Sequence, residues 1–415
     1  MAISHFPIQR ESLVEQPVPV APPVARKGRG AVSNLQGRYE VNGRERFDDG
    51  WEHDDDDLGA LRTIVTDEVA KTILSRNTSP DIPFNVSLNP YRGCEHGCIY
   101  CFARPTHSYL GLSPGLDFES RLFAKVNAPE LLRRELAKPG YVPEHIAIGV
   151  NTDAYQPCER ERGITRQVLE VLSECRHPAG LITKSSLIER DIDLLAPMAA
   201  KGLACAAITL TTLDSEISRT LEPRAAAPAR RLRTIRTLTE AGIPVSVSVA
   251  PIIPFVTEPE IERILEAAKD AGAVSAHYTI LRMPWEVNPL FQQWLHTHFP
   301  DRAQRVMNRM KDMHAGKEYD SDFTKRMHGE GVWADLIRQR FTKAVKRLGM
   351  DGFNGRFSRL DASQFRRPLI APSAAACQRR DEDVTQLDLF GGAAASEAKP
   401  GRRKAAKASP QLDLF

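Results

Sequence analysis

From residue 81 onward the sequence alternates short β-branched runs with segments of helical period, and this alternation limits the fold more than any other feature. The runs are Phe84 to Leu88, His145 to Asn151, Gly180 to Thr183, Ala204 to Thr211, Pro244 to Ala250 and Ala273 to Leu281. Between them, Ala128 to Leu136, Thr165 to Cys175, Glu189 to Ala200, Ala227 to Ala241 and Glu258 to Ala271 place apolar residues at helical spacing. Strands that are each followed by a helix predict a parallel sheet with right-handed crossovers. The expected fold is an α/β, TIM-like partial (β/α)6 barrel, with its active groups on loops at the carboxyl ends of the strands. In the last helix Thr257 and Glu260 read as a capping box, and Gly272 as the stop.

The flanks read differently. Residues 1–80 are rich in Pro, Gly and charge, with an acidic run from Asp54 to Asp57. They are expected to be a mostly disordered arm with one short helix around Glu68 to Leu74. The barrel is expected over 81–300. A helical extension should follow over 301–360, and a flexible tail over 361–415. Trp285, Leu290, Trp294, Met307 and Met310 are the expected core of the helical stretch from 285 to about 350.

Charge and cysteine usage narrow the function. The chain has 56 basic and 53 acidic side chains, a net charge of +3. Lys399, Arg402, Arg403, Lys404 and Lys407 outnumber Glu397 and Asp413 by three in the last 25 residues, so the rest of the chain is neutral overall. Any nucleic-acid contact in the body must therefore be a local patch. No window approaches about 18 apolar residues and the N-terminus lacks an apolar signal core, which predicts a cytoplasmic protein with no membrane partner. Seven cysteines, an odd number, argue for reduced thiols and against a disulfide framework.

Three of those thiols stand in Cys94-Glu-His-Gly-Cys98-Ile-Tyr-Cys101, on the loop after the first strand. Gly93 and Gly97 let the backbone wrap closely, so three thiolates within eight residues can converge on one inorganic cluster with a fourth position open. Zinc is the competing reading. Structural zinc wants four protein ligands, and only His96, inside the loop, stands near enough in sequence.

The loop resembles the signature C-x3-C-x-aromatic-C of the radical S-adenosylmethionine (SAM) superfamily, with Tyr100 in the aromatic slot. That resemblance implies a [4Fe-4S] cluster on Cys94, Cys98 and Cys101, SAM as co-substrate, and an electron donor such as a flavodoxin or ferredoxin. Within the superfamily, residues 81–254 are similar to the spore photoproduct lyase-like branch through Asn151-Thr-Asp153, Thr183-Lys-Ser185, Ile208-Thr-Leu210, Leu221-Glu-Pro223 and Val249-Ala-Pro-Ile252. By this resemblance Thr152, Asp153, Lys184, Thr209 and the backbone at Ala250 would meet SAM. Lys184 would pair with its carboxylate and Tyr100 would lie near its adenine.

The chain also departs from the lyase. Val150 or Asn151 stands where that enzyme has its hydrogen-donating cysteine, and Phe102 where it has a tyrosine. Cys158 is the candidate substitute if its loop folds over the lumen; otherwise it is a small core residue. Tyr109, Glu159, His277, Arg282 and Glu286 are further candidates at the mouth. Arg282 could clamp a phosphate or carboxylate, or simply pair with Glu286. Cys175 and Cys205 fall on core patterns and are assigned no chemistry.

The tail carries a second clue: Gln386-Leu-Asp-Leu-Phe390 recurs as Gln411-Leu-Asp-Leu-Phe415. Both copies resemble the short motif by which bacterial polymerases and repair proteins dock on the replicative sliding clamp, leucine and phenylalanine filling an apolar cleft. Together the resemblances imply radical repair or modification of a DNA nucleotide near replication forks. The rival readings are a radical SAM enzyme acting on RNA, a protein or a metabolite, and a non-enzymatic iron-sulfur clamp adaptor.

Overall fold

The computed structural model describes residues 25–40, 61–350 and 360–369. Among these residues the strands form two sheets. The smaller has the order β1-β5-β4, with β1 Ile64–Glu68, β4 Tyr91–Arg92 and β5 Arg121–Lys125. The larger has the order β10-β9-β8-β7-β6-β3-β2. Its members are β2 Leu74–Arg76, β3 Val86–Leu88, β6 Ile146–Ile148, β7 Ala179–Thr183, β8 Ala204–Thr209, β9 Val245–Ile252 and β10 Ser275–Ile280. Neighbours from β3 through β10 pair in parallel, and β2 adds an antiparallel edge.

This is the expected partial barrel, and each of the six sequence runs overlaps one of its parallel strands, although β7 begins one residue before its run and β9 ends two residues beyond its run. The register shows why the runs are so apolar. Leu88, Ile148, Leu181, Ala206 and Val245 lie side by side across five strands and all belong to the buried core. One residue further along, Ile182, Ala207, Ser246 and Ser275 line up and face the lumen. Period-two alternation thus separates a greasy outer face from a small, partly hydroxylic inner one.

The helices are α1 Leu116–Ser120, α2 Ala128–Ala137, α3 Glu159–Arg162, α4 Ile164–Glu174, α5 Ile192–Ala199, α6 Ser215–Leu221, α7 Pro228–Glu240 and α8 Ile261–Asp270. Beyond the barrel come α9 Val287–His298, α10 Pro300–Asp312 and α11 Gly331–Arg347. The open seam between the first and sixth parallel strands is covered by the stretch between α10 and α11. Ile280 N–H donates to the Met327 carbonyl at 2.9 Å, and Arg326 grips Asp81 with two bonds of 2.6 and 2.8 Å.

Four expectations are corrected. The helix around Glu68 to Leu74 is absent: β1 ends at Glu68 and β2 begins at Leu74, because pairing with β5 and β3 overrides the weak local helical pattern. The Thr257 hydroxyl does not cap α8; it donates to the Pro251 carbonyl at 3.1 Å, while Glu260 accepts from Thr212 and from Leu213 N–H. Trp285 is not core but 46% exposed. Finally, residues 25–40 do not behave as a solvated arm: Arg29, Gly30, Ala31 and Val32 are buried against the cysteine loop. The acidic run Asp54–Asp57, the tail basic run and both pentapeptides lie outside the described residues.

Candidate active site

The cysteine loop is shaped by two left-handed glycines. Gly93 (φ 73°) and Gly97 (φ 66°) turn the chain where a side chain would collide: a Cβ on Gly97 would lie 2.7 Å from a Glu119 oxygen. The loop's carbonyls are collected by one fully buried side chain. Arg104 donates to the carbonyls of Cys98 (2.9 Å), Gly97 (3.0 Å), Pro114 (3.1 Å) and Gly115 (3.0 Å) and forms an ion pair with buried Glu119. Glu119 also accepts from Gly30 N–H at 2.9 Å and Ala31 N–H at 2.8 Å. On the other flank the Gln156 amide accepts from Glu95 N–H at 2.8 Å and donates to the Gly93 carbonyl at 3.2 Å.

All three thiols of the loop line a cavity of about 500 Å³ in the barrel lumen. Burial pushes all three up, Cys98 to about 12. A site that makes thiolates this costly fits a ligand that brings its own positive charge. Among the described residues no three Cys, His, Asp or Glu side chains are gathered closely enough for a single ion. Three thiols that open on one cavity are a donor set that a polynuclear cluster takes, one thiolate to each of three irons.

Around the thiols the strand-end residues form a tight polar network. Asp153 accepts from the Thr183 hydroxyl at 2.7 Å and Lys184 N–H at 2.8 Å, and lies 3.3 Å from His96. Burial alone would raise its carboxyl, but His96 and these donors bring it down to about 2. Glu222 is a second hub. It accepts from the Tyr100 phenol, from Thr211 at 2.7 Å and from buried Arg231. Burial pulls the Lys184 ammonium down, yet the Cys98 and Glu222 charges outweigh it and hold Lys184 above its ordinary value. Its nitrogen lies 5.8 Å from the centre of the Tyr100 ring.

Tyr100, Asp153, Lys184, Thr209 and Ala250 all line the cavity with the three cysteines. Thr152 and Cys158 do not. The Thr152 hydroxyl turns back to the Tyr91 carbonyl at 2.9 Å, tying the loop to β4. Asp153 and Gln156 fold the next residues into a compact turn, which carries Cys158 to the start of α3, beside Glu95 and Glu159. Of the mouth candidates, His277 and Arg282 line the cavity, whereas Tyr109, Glu159 and Glu286 do not. Glu159 is held by Tyr91 and Arg190, and Glu286 pairs with Arg38 rather than with Arg282.

Sequence reasoning missed Cys205, Arg104, Glu119 and the Gly30 contact. Cys205 lines the cavity on the same face of β8 as Ala207 and Thr209, so the period-two rule could have found it.

Residues 88–268 match the model of the radical SAM superfamily. These residues are a radical SAM domain. An uncharacterized protein of Mycobacterium tuberculosis is 34% identical over 226 residues, which span 54% of this chain and 66% of that protein. An uncharacterized protein of Methanocaldococcus jannaschii is 24% identical over 222 residues, 54% of this chain and 79% of its own length. Among solved structures, a spore photoproduct lyase complexed with dinucleoside spore photoproduct aligns with a TM-score of 0.45 at 14% identity, covering 70% of this chain and 80% of that one. The domain's location means that the β-strand ends carrying Asp153, Lys184, Thr209 and Ala250 all belong to it.

Proposed function

We infer that the chain is a radical SAM enzyme acting on a nucleotide of DNA, and that its tail pentapeptides recruit it to the sliding clamp. The observation that carries the enzymatic reading is the single cavity onto which Cys94, Cys98, Cys101, Tyr100 and Lys184 all open, inside a radical SAM domain. When bound on the three thiolates, a [4Fe-4S] cluster supplies one electron, drawn from a flavodoxin- or ferredoxin-class donor, that splits the SAM sulfonium into methionine and a 5'-deoxyadenosyl radical.

The chain's own residues supply the rest. Asp153 fixes the Lys184 backbone and the Lys184 ammonium lies over the Tyr100 ring, where it would meet the carboxylate of SAM. The Glu222 and Arg231 pair holds the Tyr100 phenol, and the ring itself, as a wall of the adenine site. The lumen walls of Ala207, Ser246 and Ser248 are small, which leaves room for a second molecule. Two features support the DNA reading: the strand-end motifs similar to the lyase-like branch, and the repeated Gln-Leu-Asp-Leu-Phe segment. A cavity of about 500 Å³ holds a nucleotide but not a duplex, so the target base must be extruded.

The test is anaerobic reconstitution followed by reaction with defined lesion-bearing oligonucleotides, read by mass spectrometry. Formation of 5'-deoxyadenosine with a changed nucleotide is expected; none on reduction overturns the enzymatic reading. A chain lacking Thr385–Phe415 should lose clamp pull-down while still cleaving SAM, and retained pull-down overturns the tether.

A further inference from the structure

The loop from Leu281 to Glu286, which leaves the carboxyl end of β10, presents side chains in two directions. Arg282 points inward. It is nine-tenths buried, lines the cavity, and has no ion-pair partner among the described residues. Its Nη1 meets the Met327 sulfur at 3.6 Å, its guanidinium bonds to the Tyr319 side chain and its central carbon lies 5.3 Å from the centre of the Phe102 ring, but its Nε has no hydrogen-bond partner. Asp81, a carboxylate whose charge also acts on it, has both oxygens held by Arg326. A buried guanidinium with a free donor at a cavity wall is suited to an anionic group of the molecule that enters there.

Trp285 points outward. Its backbone is left-handed (φ 46°), which is strained for a bulky residue and sets the ring on the surface. The Arg38 guanidinium lies 4.1 Å from the centre of that ring and 5.6 Å from that of Tyr39, fixed by a 2.8 Å bond to Glu286. Tyr39 in turn packs at a tilt against Tyr109, with centroids 4.9 Å apart and planes 31° apart. Tyr39, Tyr109 and Trp285 are three of the four exposed aromatic rings among the described residues, and they form one continuous run. Rings 46–53% exposed gain little from burial, so core packing does not account for them.

We propose that Trp285, Arg38, Tyr39 and Tyr109 form a stacking platform for unpaired bases beside the cavity, and that Arg282 holds the phosphate of the nucleotide that enters it. Trp285 and Arg282 are three residues apart, at most about 11 Å between Cα atoms, so one short stretch of strand can engage both. Stacking accepts any base and needs it unpaired, which makes the ligand single-stranded or locally melted DNA. This proposal rests on the DNA reading above.

The experiment is fluorescence anisotropy of the full chain with single-stranded DNA, duplex DNA and single-stranded RNA of one sequence across a salt series. Single-stranded DNA should bind more tightly than duplex. Trp285→Ala and Tyr109→Ala should each weaken that binding about tenfold with the salt slope unchanged, and Trp285→Phe should restore most of it. Arg282→Met should instead reduce the salt slope by about one. If the wild-type chain binds DNA and the variants match it, the platform is overturned and the DNA reading stands. If the wild-type chain binds no DNA, or prefers RNA, the DNA reading itself is overturned.

Discussion

Behind the cysteine loop Arg104 pairs with Glu119, Arg231 with Glu222 and Asp153 with His96, whereas at the β10 edge Arg326 holds both oxygens of Asp81 and Arg282 has no ion-pair partner among the described residues, meeting only the neutral Tyr319 side chain and the Met327 sulfur. The same residue type therefore sits in two opposite environments along one cavity. Burial works against the charge of both Arg231 and Arg282, but Glu222 reverses it for Arg231, while Arg282 stays below its ordinary value. Charges that meet within the chain fix a shape; a charge that does not is matched only when something binds. On the proposed function, the loop end of the lumen would hold the cofactor rigidly and the β10 end would receive the changing ligand.

The largest expected effect lies at the loop end. Cys98→Ser should abolish cluster absorbance after reconstitution and with it all 5'-deoxyadenosine, while the network around Arg104 keeps the fold. A cluster that still forms with full SAM cleavage would refute the assignment of this loop. Next comes a matched pair of substitutions that tests the contrast directly. Arg104→Met leaves Glu119 buried without its cation and should cost about 3–5 kcal/mol in denaturant unfolding. Arg282→Met removes a buried charge that no carboxylate pairs and only Tyr319 and Phe102 offset, so its cost should lie within about 1 kcal/mol of zero. Equal losses would erase the distinction between the two ends.

Much of the loop end was legible because its signals are local. Cys94, Cys98 and Cys101 announce themselves within eight residues, and Asp153 and Lys184 stand where strand-end reasoning places active groups. What supports them was not legible. Glu119 is bonded to Gly30 N–H, 89 residues away in the chain, and no periodicity records such a pairing. Thr152 and Asp153 are adjacent, and in an irregular turn their order does not say which faces the lumen. Cys205 was missed for a different reason: in an apolar run buried on both faces, inward and outward positions look alike until one residue, here Thr209, is known to face in. The same blindness hid the β10 edge, where Trp285 read as core because nothing local reports its left-handed backbone.

A smaller effect probes how the N-terminal segment joins the loop end. A Cβ on Gly30 would fall 1.9 Å from the Gly97 carbonyl oxygen, backbone against backbone, with no flexible atom to give way. Gly30→Ala should displace residues 29–31 and strip Glu119 of two N–H donors, costing on the order of 2–3 kcal/mol. Limited proteolysis should then cut near residue 30 well before the barrel. An unchanged cleavage pattern would mean that the loop end does not depend on this segment.

The smallest effect separates two histidines: burial brings His177 down to about 4, whereas the downward pull of burial and of His328 on His277 is relieved by the lumen water that its ring meets. His177 is fully buried, with its ring nitrogens meeting the Tyr141 phenol at 2.8 Å and the Pro178 carbonyl at 3.0 Å, an arrangement that suits the neutral ring. His277, although enclosed by protein, turns more than a third of its surface toward the lumen of the β10 edge, where water screens a charge. An unfolded histidine takes up its proton near pH 6.5, and His177 in the folded chain only near pH 4. Stability from such a group is therefore complete above pH 6.5 and declines as the pH falls from 6.5 to 4. For His177 the decline should reach at most about 3 kcal/mol, so His177→Gln should flatten the fall in denaturant midpoint between pH 7 and pH 5. His277→Gln should leave that fall nearly as steep as in the wild-type chain. Equal flattening by both would show that the β10 end of the lumen is as dry as the core, and the contrast between a fixed end and a receptive end would have to rest on charge pairing alone.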